Sequence, residues 1–230
     1  MQENAQGFAD LQLDNVSDDI NLLAIQGPKS LEALQTLTDV QLGDIPYYNF
    51  TTGTFAGEDM IISRTGYTGE PGLELYFRGD EAVAEKVWNA ILEAGSEINL
   101  EPVGLGARDT LRLEKGYCLY GNDIDQTTNP IEAGLGWITK LNKGEFNGKD
   151  VIASVKEQGP TRRLVGFKVQ ADKFIPRHGY SITANGEDVG HVTSGNISPI
   201  LKLGIGMGYV RTDLAIPGTT VNIAARGKEF

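Results

Sequence analysis

The chain has 230 residues, of which 20 are Lys or Arg and 31 are Asp or Glu, giving a net charge of −11 with 40% hydrophobic residues. That length buries a sizeable core in one large or two smaller domains. The acidic surplus repels a phosphate backbone, so nucleic acid is not expected as a partner. No run approaches the ~18 consecutive apolar residues of a membrane-spanning helix, so no membrane association is expected either. Met1-Gln2-Glu3-Asn4-Ala5-Gln6 lacks the basic start and apolar stretch of a secretory signal, and a cytoplasmic location is expected. Cys118 is the single cysteine, and His178 and His191 are the only histidines, which excludes paired thiolates and a histidine-rich metal centre. The chemistry falls to carboxylates, Arg, Tyr or a bound cofactor.

In chain order, residues 1–19 form a polar lead-in with weak periodicity. Residues 20–26 read as a buried strand, and Gly27-Pro28 opens a helix in which Leu31, Leu34 and Leu37 recur at helical spacing. Two β-prone runs, 47–55 and 60–64, flank Ala56-Gly57-Glu58-Asp59 as a turn and predict a hairpin. A glycine-punctuated loop leads into a strand over 73–77. A helix follows, capped by Asp80, with Val83, Val87, Trp88 and Ile91 on one face. The order β-α-β-β-β-α predicts a sheet with helices on one face, of the ferredoxin-like kind.

Residues 102–115 form another amphipathic stretch with Leu105, Leu111 and Leu113, and the Gly/Asn/Asp/Thr-rich segment 116–137 reads as an ordered functional loop. After a boundary at Gln158-Gly159-Pro160, short β-prone runs near 163–170, 189–194, 205–211 and 218–225 predict a separate all-β module. The expected fold is α+β. Residues 1–19 are expected to be a remnant of an N-terminal region, 20–159 the ferredoxin-like and central region, and 160–230 the β module.

The most informative stretch is Arg64-Thr65-Gly66-Tyr67-Thr68-Gly69-Glu70-Pro71-Gly72-Leu73-Glu74. Its three glycines free the backbone for tight, positive-φ turns beside Tyr and Glu side chains, so the loop can hold a ligand closely. It makes a poor phosphate cradle, because no Lys-Ser/Thr pair follows and carboxylates stand where a phosphate would be repelled. By spacing alone, a hairpin connection with charged tips is the favoured reading.

Further motifs follow: Gly104-Leu105-Gly106-Ala107-Arg108-Asp109-Thr110-Leu111-Arg112-Leu113-Glu114-Lys115-Gly116, then Leu119-Tyr120-Gly121-Asn122-Asp123-Ile124-Asp125, then Thr193-Ser194-Gly195 with Ser198-Pro199. In this order and spacing, across nearly the whole chain, they resemble the glycine cleavage T protein family of tetrahydrofolate-dependent aminomethyltransferases. The resemblance implies a folate-binding region with a ferredoxin-like part and a C-terminal β-barrel. It implies tetrahydrofolate as co-substrate and the lipoylated H protein as partner. The implied reaction transfers the aminomethyl carbon to tetrahydrofolate and releases ammonia, with proximity and charge placement dominating catalysis.

By motif matching, Glu74 falls on the family's pterin-binding glutamate, whose two oxygens accept from adjacent ring N–H and amino groups. Arg108 falls on a folate-contacting arginine, whose planar fork suits a carboxylate or carbonyl. Tyr67 is placed in the same pocket as a stacking ring. Without the resemblance, Glu74 reads as a solvated strand residue and Arg108 as a surface ion-pair partner. Asp109, Arg112, Glu114 and Asp123 read as helix and loop support, Tyr120 and Trp137 as packed aromatics ahead of a lining for the central cavity, and Cys118 as an inert buried thiol.

The chain also departs from the family pattern. No Asn-rich segment ending in a Lys-Asp pair is present, so the family's catalytic aspartate has no match and the 230 residues are expected to be catalytically incomplete. Met1 is expected to be an internal methionine, and a further barrel strand is expected beyond Lys228-Glu229-Phe230. Bare apolar surface would then favour self-association. A non-catalytic folate-binding module related to iron-sulfur maturation factors is the alternative. Lys115-Gly116-Tyr117-Cys118-Leu119-Tyr120-Gly121-Asn122 departs from that branch's Lys-Gly-Cys-Tyr-x-Gly-Gln-Glu run. A sarcosine or dimethylglycine oxidising enzyme would need a flavin domain that this length cannot hold.

Overall fold

The computed structural model describes residues 2–171 and 173–230. The chain divides into two compact units, Met1–Pro102 and Val103–Phe230. Among the described residues no helix is long and apolar enough to cross a membrane.

The first unit starts with a short helix α1 (Gln2–Ala5) and continues as β1 (Ile20–Gln26), α2 (Ser30–Leu34), β2 (Phe50–Phe55), β3 (Glu58–Ser63), β4 (Gly72–Arg78) and α3 (Glu81–Ala94). The four strands form an antiparallel sheet in the order β1-β4-β3-β2. Period-two alternation decides its faces. Ile25, Met60, Ile62, Leu73, Leu75, Phe77 and Phe55 join Leu34 of α2 and Val87 and Ile91 of α3 in one buried cluster. The helices therefore cover one face, as the ferredoxin-like expectation requires. Asp80 caps α3 by accepting from the Val83 amide, 3.1 Å. Trp88, expected on the buried face, is 38% exposed instead, because Val87 and Ile91 at i and i+4 define the inward stripe. The β2–β3 turn is also tighter than expected. Ala56 and Gly57 both take positive φ, so the ladder already pairs Phe55 with Glu58.

The second unit has α4 (Leu105–Glu114), a long irregular segment, α5 (Lys149–Gln158) and β5 (Arg162–Lys168). Then come β6 (Ser181–Ala184), β7 (Glu187–Ile197), β8 (Gly204–Arg211), β9 (Asn222–Ala225) and β10 (Lys228–Glu229). All six strands are antiparallel, in the order β10-β9-β6-β7-β8-β5. Val169, Ile182, Val189, Val192, Val210 and Ile223 fill the core. Among the elements that escaped the sequence reading are α5, β6 and β10. Helix α5 begins at a Gly148 in the left-handed region without a side-chain cap, and β6 is only four residues long. Leu105, read as part of an apolar stripe, is 83% exposed, while Arg112 and Leu113 are the residues α4 buries.

Candidate functional site

The motif over residues 64–74 is the loop joining β3 to β4, and it is built around one side chain, Gln26 at the end of β1. Its Nε2 donates to the carbonyls of Thr65 (3.1 Å) and Leu73 (3.2 Å), and its Oε1 accepts from the Thr68 hydroxyl (3.1 Å). The glycines follow from this packing. A Cβ on Gly66 would lie 1.8 Å from Gln26 Oε1, and one on Gly72 would lie 2.5 Å from both Gln26 Nε2 and the Ile25 carbonyl oxygen. Of the three motif glycines only Gly69, at φ +76°, serves the positive-φ turn that the sequence suggests. The other two let the backbone approach Gln26.

Glu74 lies on β4, the strand between β1 and β3, on the face opposite the helices. Its cross-strand neighbours are Ala24 and Ser63. The Thr65 hydroxyl donates a hydrogen bond to Glu74 Oε2, and Ser63 Oγ stands 2.9 Å from Thr65 Oγ1. Glu74 is half-buried, as is Tyr67 at the loop tip. Tyr76, two residues along the same face, has its phenol pushed up by burial and then by the charge of Glu74. A shallow cleft of about 480 Å³ runs along this unit past Ile20, Thr52, Ile61, Tyr76 and Arg78. Glu74 does not line it, so the carboxylate geometry, rather than that cleft, marks the candidate site.

In the second unit Arg108 is exposed on α4. One turn on, Arg112 is 2% exposed and bonds Asp123 Oδ2 through Nη1 (2.7 Å), Asp109 Oδ1 through Nη2 (2.7 Å) and the Ser194 hydroxyl through Nη2 (3.0 Å). Asp123, fully buried, also accepts from the Leu119 amide (2.8 Å) and the Thr193 hydroxyl. Thr193 and Ser194 are adjacent in β7 and would normally point to opposite faces. The β7–β8 register shifts between Val192 and Ser194, and this bulge turns both hydroxyls onto the ion pair. Asn196 holds the far oxygen of Asp109 at 3.1 Å, and Ser198 donates to Glu114. The Thr-Ser-Gly and Ser-Pro motif is thus a clamp on α4 and on the loop after it. The Asp109, Arg112, Glu114 and Asp123 charges do the supporting work that the sequence suggests, and reach an element about 80 residues away.

Tyr209 donates to the Asp123 carbonyl at 3.0 Å, and burial pushes its phenol up to about 12. Burial, then the Asp123 charge, raises the Cys118 thiol, which suits an inert residue. Tyr120 and Trp137 correct the sequence reading. They are 71% and 67% exposed rather than packed.

Of the residues singled out from sequence, Glu74 and Tyr67 share the first unit and Arg108 lies in the second. The structure adds Thr65 and Ser63 beside Glu74, and Gln26 beneath the loop that carries Thr65. Sequence reasoning missed them. The available signal was a long amide at the end of a mostly apolar strand that precedes a glycine-rich loop.

Comparison with known proteins agrees along the chain. A family profile described as the GCVT N-terminal domain matches residues 1–143, and one described as the glycine cleavage T-protein C-terminal barrel domain matches residues 162–230. The aminomethyltransferase of Halothermothrix orenii is 56% identical over 93% of this chain and 59% of its own length. That of Bacteroides fragilis is 56% identical over 95% of this chain and 61% of its own. The crystal structure of glycine cleavage system aminomethyltransferase T from Bartonella henselae superposes with a TM-score of 0.67 at 26% identity, covering 91% of this chain and 81% of that one. The chain spans about three fifths of the length of the curated relatives it matches. With both profiles matched in order, the chain belongs to the glycine cleavage T-protein family of aminomethyltransferases.

Proposed function

We propose that this chain carries the folate-binding part of a tetrahydrofolate-dependent aminomethyltransferase, with Glu74 as the residue that reads the pterin edge. The observation that supports this reading is the carboxylate itself. It is half-buried on the open face of a central strand, with Oε2 already oriented by Thr65. A carboxylate has about four lone-pair sites, so one hydroxyl leaves capacity for two further donors side by side. A pterin presents such a pair, a ring N–H next to an amino group, and charge-assisted hydrogen bonds are the stronger kind.

Tyr67, at the tip of the same loop, is assigned to stacking. Arg108 is assigned, on the motif match, to a folate carboxylate or carbonyl. Bound tetrahydrofolate supplies the nucleophilic nitrogen, and the lipoylated H protein is the proposed donor of the aminomethyl group. The protein's part is to hold the acceptor in one orientation, which is where the rate of such a transfer is gained. The reading assigns folate binding to this stretch. The chain is proposed to work in the cytoplasm. Residues 20–159 are proposed as the folate-binding region and 160–230 as the barrel. Leu22, Phe50 and Ile61, exposed on the same sheet face as Glu74, are proposed to favour self-association.

Calorimetric titration of tetrahydrofolate into the parent and Glu74→Gln chains tests the assignment. The substitution turns a charged acceptor pair into one acceptor and one misplaced donor, and should weaken binding by roughly 1 to 3 kcal/mol. Equal affinity in the two chains would mean that the site lies elsewhere. The iron-sulfur-related alternative has no support among the relatives named above, which are aminomethyltransferases.

A further inference from the structure

The hydroxyls next to Glu74 have a direction that follows from proton counting. An ionised carboxylate only accepts, and a threonine has one O–H to give. Thr65 donates that proton to Glu74 Oε2. In the 2.9 Å contact between Ser63 Oγ and Thr65 Oγ1, Ser63 must therefore be the donor. The result is a one-way relay, Ser63 to Thr65 to Glu74, in which each bond polarises the next. Its members are fixed by the sheet. Ser63 is directly opposite Glu74 in the β3–β4 ladder and is itself buried, and the Thr65 carbonyl is held by Gln26.

We propose that Thr65, backed by Ser63, is a positioning residue for Glu74: the relay fixes the plane of the carboxylate so that its remaining lone pairs face a ligand carrying two adjacent N–H donors. The inference rests on the assignment of Glu74 to the pterin edge. A free glutamate on a sheet face samples several rotamers, and freezing it on binding costs affinity; the relay freezes it in advance. Neither hydroxyl is assigned a contact with the ligand. Their effect passes through Glu74 alone, and this is what separates the proposal from a general structural role.

The test is a double-mutant cycle read by calorimetry with tetrahydrofolate, using the 230-residue chain, with thermal melts run on every variant. Thr65→Val keeps the shape and removes the hydroxyl, and should weaken binding about five- to tenfold, the worth of one such hydrogen bond. Thr65→Ser restores the donor and should return affinity to within about twofold of the parent. In the Glu74→Gln background, Thr65→Val should add less than about twofold, because the group it orients has lost its charge.

A silent Thr65→Val alongside a weakened Glu74→Gln would overturn the relay while leaving the Glu74 assignment standing. A full additional loss on top of Glu74→Gln would also overturn it, as would failure of Thr65→Ser to rescue. A silent Glu74→Gln, or a parent chain without saturable folate binding, would instead overturn the assignment on which the relay rests.

Discussion

Removing Asp123 should unfold the second unit far more readily than its single charge suggests. Asp123 is fully buried and accepts from the Arg112 guanidinium, the Leu119 amide and the Thr193 hydroxyl. Asp123→Ala leaves a guanidinium that is 2% exposed with Asp109 as its remaining carboxylate, and orphans the other two donors. Breaking a buried pair from one side costs about 3–5 kcal/mol, and each orphaned buried donor about 1–3. These penalties share one cavity and do not add, so about 3–5 kcal/mol is the expected total. Asp123→Asn should cost less. One amide oxygen can still accept from Arg112 and Leu119, and the Thr193 hydroxyl can rotate to accept from the amide nitrogen. Replacing both charges, as Arg112→Met with Asp123→Leu, should be better tolerated than Asp123→Ala, since no uncompensated charge is left in the pair. Urea unfolding followed by circular dichroism measures all three. The reasoning fails if Asp123→Ala stays within about 1 kcal/mol of the parent, or if the double replacement is no better than it.

Gly66→Ala forces Gln26 aside and with it three hydrogen bonds, so it should cost about 1–3 kcal/mol in a melt, and much less in a Gln26→Ala background where the clash is gone. Gly72→Ala meets the fixed Ile25 carbonyl and should be clearly destabilising, whereas Gly104→Ala, with nothing within 4 Å, should be close to neutral; comparable melts would count against the packing account. Tyr209 keeps its proton in the folded chain up to about 12, while an unfolded tyrosine releases it near 10, so the unfolded state binds fewer protons in between. Stability should therefore fall as pH rises from about 10 toward 12, and Tyr209→Phe should flatten part of that fall. His191 is depressed below 6.5 by burial first and then by Arg162 and His178. The unfolded state binds its proton more readily, so stability should drop as pH falls below about 6.5, and less so in His191→Gln.

The architecture was readable where one physical requirement dominated a segment. The alternation over β3 and β4, the Asp80 cap and the strand-then-helix opening of the first unit each follow from a single rule acting locally. What escaped the sequence depends on partners far along the chain. Arg112 looks like a surface charge on α4, and only the bulge at Thr193 shows why it is buried. Leu105 fits an apolar spacing and is nevertheless exposed, since periodicity gives a stripe but not which side of it is covered. Glu74 was legible through the motif, but its orientation was not. Thr65 and Ser63 are common polar residues whose meaning comes from a strand register, and Gln26 lies about 40 residues upstream of the loop it organises.

The glycines of that loop show how such a register becomes chemistry. If Gly66, Gly69 and Gly72 were there for flexibility, the loop would be a mobile lid and Glu74 would be placed only when ligand arrives. Two of the three instead admit the Gln26 side chain, and the hydrogen bonds they permit hold the carbonyls at both ends of the loop, Thr65 and Leu73. A loop held at both ends cannot drift relative to the strands, and the Thr65 hydroxyl is therefore presented to Glu74 from a fixed point. Groups that must aim a charge at a ligand are more accurately placed on strands than on loops. Here the loop has been made an extension of the sheet, with rigidity supplied by an amide side chain where the ladder itself stops.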